Sequence, residues 1–357
     1  MTLNFPTPPI LRYNNSIENI FDIHWRSCVN WKHELETAKT IARVAAGICH
    51  NIQAELVDPS QKQGREPVTV ADYASQALIG NALAENYPED GVLSEERSEE
   101  FMLLLNDNQR ALVQRFVTDA VGGYVFEEQV CAWLDFGKQK HDAERVWIVD
   151  PIDGTKGFLR RQHYCVAISL MVGGEPVLGV LASPGFYSDE ADPPDDPGAL
   201  IYAQQGAGAY IEPLAGGPSE PIQVSTVVDP RAARLLTSYE SGHTDISFFE
   251  RVIQALGRGQ DAPQRGLDSQ DKYGMVAAGM GDVYLRVVPE PDFREKLWDH
   301  AAGYAIVTEA GGRMTDLHGQ RIDWTAGTRM MNNRGVLVTN GFLHDDILAA
   351  IDRIGLE

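Results

Sequence analysis

The chain has 357 residues, which is enough for two domains of ordinary size. Its 30 Lys and Arg stand against 51 Asp and Glu, and the resulting net charge of −21 repels nucleic-acid backbones and anionic lipid surfaces. The charge therefore argues against nucleic-acid and membrane partners, and an anionic small molecule would have to meet local basic side chains or bound cations.

The four cysteines lie without any C-x-x-C spacing, which favours neither a zinc site nor a disulfide scaffold and is typical of a reducing compartment. The first 30 residues lack the basic start and apolar run of a signal peptide. We therefore expect a cytoplasmic protein.

The first half of the chain alternates helical and strand patterns. Apolar residues at Ala38, Ile41, Ala45, Ile48 and Ile52 follow a helical spacing and predict an amphipathic helix over His33–Leu56. A second helix is expected to run to about Asn86, with Thr69 as its cap and Asp72 in its first turn. Three further elements are predicted by composition: a strand over Gly91–Leu93, a helix over Asn106–Val117 and a buried strand over Val146–Val149.

The longest nearly uncharged stretch runs from Tyr164 to Tyr187, and the turn residues 173–176 divide it. It predicts a hairpin of two buried strands, Cys165–Val172 and Val177–Leu181, and not a membrane span. The Asp, Glu and Pro residues between 188 and 198 can bury almost nothing and predict a surface loop.

The second half of the chain also interleaves strands and helices. The predicted elements are strands over Leu200–Gln204, Ala207–Ile211 and Gly335–Val338, and helices over Ala301–Ala310 and His344–Arg353. Interleaving of this kind predicts a layered α and β fold. We divide the chain into an N-terminal extension (1–32), an α/β metal-binding domain (33–198) and an α/β substrate domain (199–357).

The sharpest chemical signal is the segment Trp147 to Gly157, which reads WIVDPIDGTKG. A hydrophobic strand places Asp150 and Asp153 at its carboxyl end, where ligands bind in α/β folds. Two acids so close together repel each other unless a cation lies between them, and oxygen ligands suit Mg²⁺. The segment is equally typical of a solvated turn, because Asp-Pro and Asp-Gly are frequent in turns.

Other acids also lie at the ends of predicted elements: Glu95 and Glu96 after a short strand, Asp72 in a helix start, and Asp299 before a helix. Taken singly, each has an ordinary structural explanation, namely an exposed acidic run, a helix-dipole partner and an N-cap. Together they favour a metal site more strongly than any one of them does.

Four segments in this order resemble the signature of the Mg²⁺-dependent, lithium-sensitive phosphatases of the inositol monophosphatase superfamily. They are PVTVADY (67–73), SEE (94–96), DPIDGTKGFLR (150–160) and WDHAAGYAIVTEAGG (298–312). Within that superfamily, SYESGH (238–243) and LDSQDKY (267–273) are similar to segments of the 3′(2′),5′-bisphosphate nucleotidases. The resemblance covers about residue 33 to the end.

The resemblance implies an αβαβα sandwich with two to three Mg²⁺ ions per active site. It maps one metal to Glu95, Asp150 and the carbonyl of Ile152, and a second to Asp150, Asp153 and Asp299. Asp72 and Thr155 would orient or deprotonate the attacking water. This chain has Ser94 where the family usually has Gly before the two glutamates.

The resemblance also implies a substrate site. The amides of Gly154 and Thr155 would hold phosphoryl oxygens. Ser269, Lys272 and Arg286 would donate to phosphate, and Glu240 and His243 would contact ribose or base. Outside the motif, Lys272 and Arg286 are equally well explained as solvated surface residues.

The predicted activity is hydrolysis of adenosine 3′,5′-bisphosphate to AMP and phosphate, with the related phosphosulfate as a further substrate, by a monomer or a homodimer. One alternative is an inositol (poly)phosphate 1-phosphatase. A haloacid dehalogenase-type phosphatase spaces its acids two apart, whereas Asp150 and Asp153 are three apart. A cation-binding module without activity would leave Asp72 and Thr155 unexplained.

Overall fold

The computed structural model describes residues 30–57, 66–140, 142–187, 198–238, 246–257, 264–287 and 292–355. The greater part of the predicted N-terminal extension and the acidic segment 188–197 lie outside these residues.

The first sheet has seven strands in chain order. They are β1 (Gly91–Ser94), β2 (Arg145–Asp153), β3 (Cys165–Val172), β4 (Glu175–Ser183), β5 (Ala199–Gln204), β6 (Gly208–Pro213) and β7 (Glu220–Ile222). The pair β1 and β2 is parallel, and the remaining neighbours are antiparallel. The predicted hairpin of β3 and β4 is confirmed. The domain boundary placed at residue 198 remains a prediction, and it lies between β4 and β5, which are neighbours in this sheet.

The second sheet has five strands in the order β11-β12-β10-β8-β9. Its strands are β8 (Leu235–Ser238), β9 (Gln264–Leu267), β10 (Val283–Arg286), β11 (Arg313–Thr315) and β12 (Val336–Thr339). Strands β8, β9 and β10 run parallel, whereas β12 is antiparallel to both of its neighbours.

The helices of the described residues are α1 (Lys32–Leu56), α2 (Glu66–Asn86), α3 (Ser98–Leu104), α4 (Asp107–Val121), α5 (Glu127–Leu134), α6 (Thr155–Arg160), α7 (Ile246–Ala255), α8 (Asp271–Ala277), α9 (Ala301–Glu309) and α10 (His344–Ile354). The buried residues of α1 include all five of the apolar positions that predicted it. None of the helices in the described parts of the chain is long and apolar enough to cross a bilayer.

The described residues form three hydrophobic cores within five layers. The second core lies on both sides of the middle layer, which is formed by α8 and α9. On β2, Trp147 and Val149 face the core shared with α1 and α2, whereas Val146 and Ile148 face the core shared with α8 and α9. On β12, Leu337 turns to a third core, which α7 and α10 cover. Because a strand presents successive side chains to opposite faces, each sheet is buried on both sides. The predicted αβαβα sandwich is confirmed.

Two predicted helix caps are wrong. Helix α2 begins at Glu66, so Thr69 lies inside it and is not its cap, and Asp72 lies beyond its first turn. Pro67 fits the first turn, where the missing N–H costs no hydrogen bond. The predicted start of α9 at Ala301 is confirmed, but the interpretation of Asp299 as its N-cap is wrong. Asp299 ends a 3₁₀ turn over Leu297–Asp299, and His300 is the N-cap residue of α9.

Candidate active site

The first two acidic segments leave the same edge of the first sheet. Strands β1 and β2 are parallel, and their register places Ser94 opposite Val149. The next residues along these strands, Glu95 and Asp150, therefore start from adjacent positions. Asp150 also interacts electrostatically with Asp299, which precedes α9.

Helix α2 fixes both acidic segments. The buried Gln76 amide donates from Nε2 to the carbonyl of Glu96 at 2.6 Å and accepts at Oε1 from the N–H of the same residue at 2.8 Å. The neighbouring Ser75 hydroxyl donates to the carbonyl of Pro151 at 3.1 Å. Asp72 lies three and four residues before this pair, so all three side chains share one face of the helix.

The segment after Asp150 departs from regular strand geometry. The register of β2 and β3 shifts between Asp150 and Asp153, and the N–H of Ile152 donates to Asp150 Oδ1 at 3.1 Å. Gly154, the N-cap residue of α6, has φ of 96°, which is a region that favours glycine. At Gly157 an added Cβ would lie 1.9 Å from the carbonyl oxygen of His163, so this position has no room for a side chain.

The predicted metal ligands influence one another electrostatically. Burial raises the pKa of Asp150 well above its ordinary value, and Glu95, Asp153 and Asp299 raise it further. Burial raises the pKa of Asp299 to about 7, while His300 and Arg286 oppose the shift.

The remaining acids of the cluster follow the same pattern. Burial raises the pKa of Asp153 to about 6, against the opposing charges of Lys272 and Arg286. Burial likewise raises the pKa of Asp72 well above its ordinary value, and the nearby Glu96 and Glu95 add to the effect. Because each shift marks a carboxylate that is costly to ionise, the cluster has a physical demand for positive charge.

The donor set fits Mg²⁺. The side chains predicted to bind metal are all carboxylates, whose oxygens are the hard donors that this ion prefers. Oδ1 of Asp72 is buried and has no hydrogen-bond partner among the described residues. A buried carboxylate oxygen without a partner is unfavourable in a folded protein unless a ligand or ordered water meets it.

Basic side chains line the other side of the cluster. Lys272 is 4% exposed, and its ammonium donates to the carbonyl of Leu267 at 3.0 Å and lies 5.2 Å from the ring centre of Tyr284. The Arg286 side chain is 14% exposed and pairs with Glu295 at 2.6 Å. The interpretation of Lys272 and Arg286 as solvated surface residues is therefore wrong.

Ser269 joins the two sides of the site. Its φ of 64° is unusual for a residue other than glycine, and its Cβ lies 3.0 Å from where a Cβ on Gly154 would stand. Thr155 is exposed at the start of α6, next to Gly154. Glu240 and His243 lie outside the described residues.

Three neighbouring residues in the site were not predicted. The backbone N–H of Gln270 bonds to Asp153, and its side chain bonds to the carbonyl of Trp298 and the N–H of Gly303. Lys296 pairs with Glu95 at 2.6 Å. Glu295 bonds to Arg286 and approaches His300 at 3.4 Å. The only sequence signal was the position of Glu295 and Lys296 just before the Trp-Asp motif.

Comparisons with known proteins identify the family of this chain. The model of the inositol monophosphatase family matches residues 30–356. A protein of Oryza sativa named 3′(2′),5′-bisphosphate nucleotidase is 36% identical over 336 residues, which are 89% of this chain and 93% of the relative. A protein of the same name from Dictyostelium discoideum is 34% identical over 311 residues, covering 85% of this chain and 92% of the relative.

Solved structures share the fold. The inositol monophosphatase of Anabaena (Nostoc) has a TM-score of 0.59 at 21% identity and covers 91% of this chain and 96% of its own. An inositol monophosphatase from Zymomonas mobilis has a TM-score of 0.60 at 20% identity, with coverages of 91% and 99%.

Proposed function

Because the chain belongs to the inositol monophosphatase family, we propose that it is a magnesium-dependent 3′(2′),5′-bisphosphate nucleotidase. Its substrate would be adenosine 3′,5′-bisphosphate, which it converts to AMP and phosphate, with the related phosphosulfate as a further substrate. The names of relatives that match this chain over most of their length support this choice. The choice between a monomer and a homodimer stays a prediction.

One observation carries the proposal: a cluster of buried and half-buried carboxylates lies beside two basic side chains that are largely buried, Lys272 and Arg286. A substrate with two phosphates suits such a site. One phosphate would meet the cations that the carboxylates hold, and the other would meet the basic side chains. This arrangement also offsets the −21 charge of the chain, which otherwise opposes an anionic substrate.

We assign the metal ligands as the resemblance to the family implies. Glu95, Asp150 and the carbonyl of Ile152 would hold one Mg²⁺, and Asp150, Asp153 and Asp299 the second, while a third and weaker ion stays a prediction. When bound, such cations lower the pKa of water and stabilise charge on the attacking and leaving oxygens of a phosphoryl transfer.

The chain's own residues would act on the water and the phosphoryl group. Asp72 would orient the water and accept its proton, and burial makes its carboxylate a stronger base than an exposed one because it raises the pKa. The Thr155 hydroxyl would share this role, and the amides of Gly154 and Thr155 would donate to phosphoryl oxygens. A bond forms between the water oxygen and phosphorus, the bond to the ribose 3′ oxygen breaks, and that oxygen leaves with a proton.

The proposal is tested by measuring phosphate release from adenosine 3′,5′-bisphosphate, its phosphosulfate relative and an inositol bisphosphate, side by side with Mg²⁺. We expect the nucleotide bisphosphate to have the highest kcat/KM. Protein with Asp150→Asn, purified in the same way, controls for contaminating phosphatases. A higher kcat/KM for the inositol bisphosphate would contradict the proposal and favour the inositol phosphatase alternative.

The stereochemistry at phosphorus tests the chemistry separately, with a substrate whose transferred phosphoryl group is made chiral by oxygen isotopes. Direct attack by water inverts the configuration at phosphorus and forms no covalent phosphoenzyme, whereas a route through an aspartyl phosphate retains it. Phosphate trapped on Asp150 would instead indicate a mechanism of the haloacid dehalogenase type.

A further inference from the structure

Lys296 is held rigidly beside the predicted metal ligands. Its backbone forms an isolated β-bridge with Arg329, and the N–H of the next residue, Leu297, bonds to the carbonyl of Thr328 at 3.1 Å. The ammonium lies 5.0 Å from the ring centre of Trp298, a cation–π contact. Backbone and aromatic ring together direct the positive charge toward the carboxylate cluster.

The contact of Lys296 with the cluster is direct. Its Nζ lies 2.6 Å from Oε1 of Glu95, in a pair whose two side chains are each about 30% exposed. The ammonium also interacts electrostatically with the other acids on this side of the cluster: Asp72, Glu96, Asp150 and Asp299. Lys272 and Arg286 act on Asp153, and Arg286 also acts on Asp299.

One carboxylate oxygen cannot bind an ammonium and a divalent cation at the same time without electrostatic repulsion between the two. Mg²⁺ binds carboxylate oxygens at about 2.0–2.1 Å, so an ion on Oε1 of Glu95 would stand within a few ångströms of the ammonium. Two positive charges at such a distance repel strongly in a partly buried site.

We infer that the ammonium of Lys296 competes with the metal ion for the carboxylate of Glu95. The ammonium pairs with this carboxylate when no metal is bound, and Mg²⁺ displaces it. The inference rests on the proposed function, because it takes Glu95 as a metal ligand. Lys296 thus has a positioning role. In the metal-free protein its ammonium would neutralise part of the negative charge of the acids, and it would weaken the binding of the ion at Glu95.

Calorimetric titration of metal-stripped protein with Mg²⁺ tests this inference. The variants are Lys296→Met, which removes the charge, and Lys296→Arg, which keeps it. The matched control is Lys140→Met, because Lys140 also pairs with a glutamate, Glu89 at 3.3 Å, at the surface. We expect Lys296→Met to bind Mg²⁺ roughly five- to fiftyfold more tightly, and the other two variants to match wild type within about twofold.

Unchanged or weaker Mg²⁺ binding by Lys296→Met would overturn the competition, and weaker binding would mean that Lys296 instead orients Glu95 for the metal. Wild-type protein that binds Mg²⁺ but leaves the nucleotide bisphosphate intact would contradict the proposed function alone. Wild-type protein without measurable Mg²⁺ binding would overturn both.

A second measurement needs no variant. Reductive methylation of wild-type protein, followed by peptide mass spectrometry, reports how accessible each lysine amine is. Saturating Mg²⁺ should raise the labelling of Lys296 several-fold relative to Lys140, because the ion displaces the ammonium from Glu95. Labelling of Lys296 that stays constant or falls would overturn the inference even if Lys296→Met failed to fold.

Discussion

Replacing Asp299 by Asn should stabilise the metal-free protein while abolishing its activity. Burial and the neighbouring carboxylates Asp153 and Glu295 raise the pKa of Asp299 from 3.8 to about 7. A group whose pKa is raised by folding contributes stability below its unfolded pKa, and this contribution is lost as the pH rises through the folded value. Ionised Asp299 is therefore unfavourable in the metal-free protein above about pH 7.

The size of the effect follows from that shift. A pKa change from 3.8 to about 7 corresponds to roughly 4 kcal/mol, as an upper limit, since each pKa unit is worth about 1.4 kcal/mol. Asn has nearly the same shape and no charge, so at pH 8 its free energy of unfolding should exceed that of wild type by up to roughly 4 kcal/mol. At pH 5 the difference should be under about 2 kcal/mol, because wild-type Asp299 is then protonated in the folded state.

Urea unfolding in EDTA at pH 5 and pH 8 measures both values. Asp345→Asn is the matched control, because Asp345 is a surface residue with an 86% exposed side chain paired with Arg313. Mg²⁺ should stabilise wild type at pH 8 and the Asp299→Asn variant much less. A variant less stable than wild type at pH 8 without metal would refute the electrostatic reasoning, because Asp299 would then contribute favourable contacts that outweigh its charge.

Three further changes test other parts of the site. Gln76→Leu removes both hydrogen bonds that fix the backbone of Glu96. When the rate is measured against Mg²⁺ concentration, the concentration for half-maximal activity should rise roughly tenfold or more. An unchanged Mg²⁺ requirement would mean that Glu95 is positioned by other contacts. Lys272→Met should lower kcat/KM for adenosine 3′,5′-bisphosphate about ten- to a hundredfold, because a charge-assisted contact is lost. It should lower kcat/KM for an inositol monophosphate much less. Equal losses on the two substrates would place Lys272 at the phosphate that is removed. Gly157→Ala places a methyl group against the carbonyl of His163 and should lower the free energy of unfolding by about 1–3 kcal/mol, measured by denaturant titration. The control is Gly47→Ala, at a position with open space, which should not destabilise the protein.

Local patterns predicted the larger elements of this fold well. Helix α1 and the hairpin of β3 and β4 could be predicted because each buries a regular face over many residues. Helix α3 was missed because Leu103 and Leu104 are 76% and 68% exposed, so its apolar residues form no stripe on one face. Strand β12 of the second sheet was predicted, over Gly335–Val338. The other strands of this sheet were not located, because they have three or four residues each, too few to show a period.

The candidate site divides in the same way. The acids were predictable because each directly follows a recognisable strand or lies in a contiguous motif. Lys296 and Gln270 were not, because their contacts depend on residues far away in the chain: Lys296 meets a carboxylate 201 positions earlier, and the Gln270 side chain reaches the carbonyl of Trp298. No local pattern reports such contacts. Burial of Lys272 is likewise a property of the packed layers and not of its neighbours in sequence.

The separation between Glu95 and Lys296 also has a consequence for biosynthesis. A ribosome adds residues from the N-terminus, so the acids up to Asp153 emerge long before the residues that complete the site, Lys272, Lys296 and Asp299. During that interval the nascent first sheet carries several carboxylates without these later partners. The finished centre forms only when nearly the whole chain has been made, because Asp299 is among the last of its residues. Fragments that end before residue 299 would therefore lack a proposed ligand of the second ion, so premature termination should leave no active product.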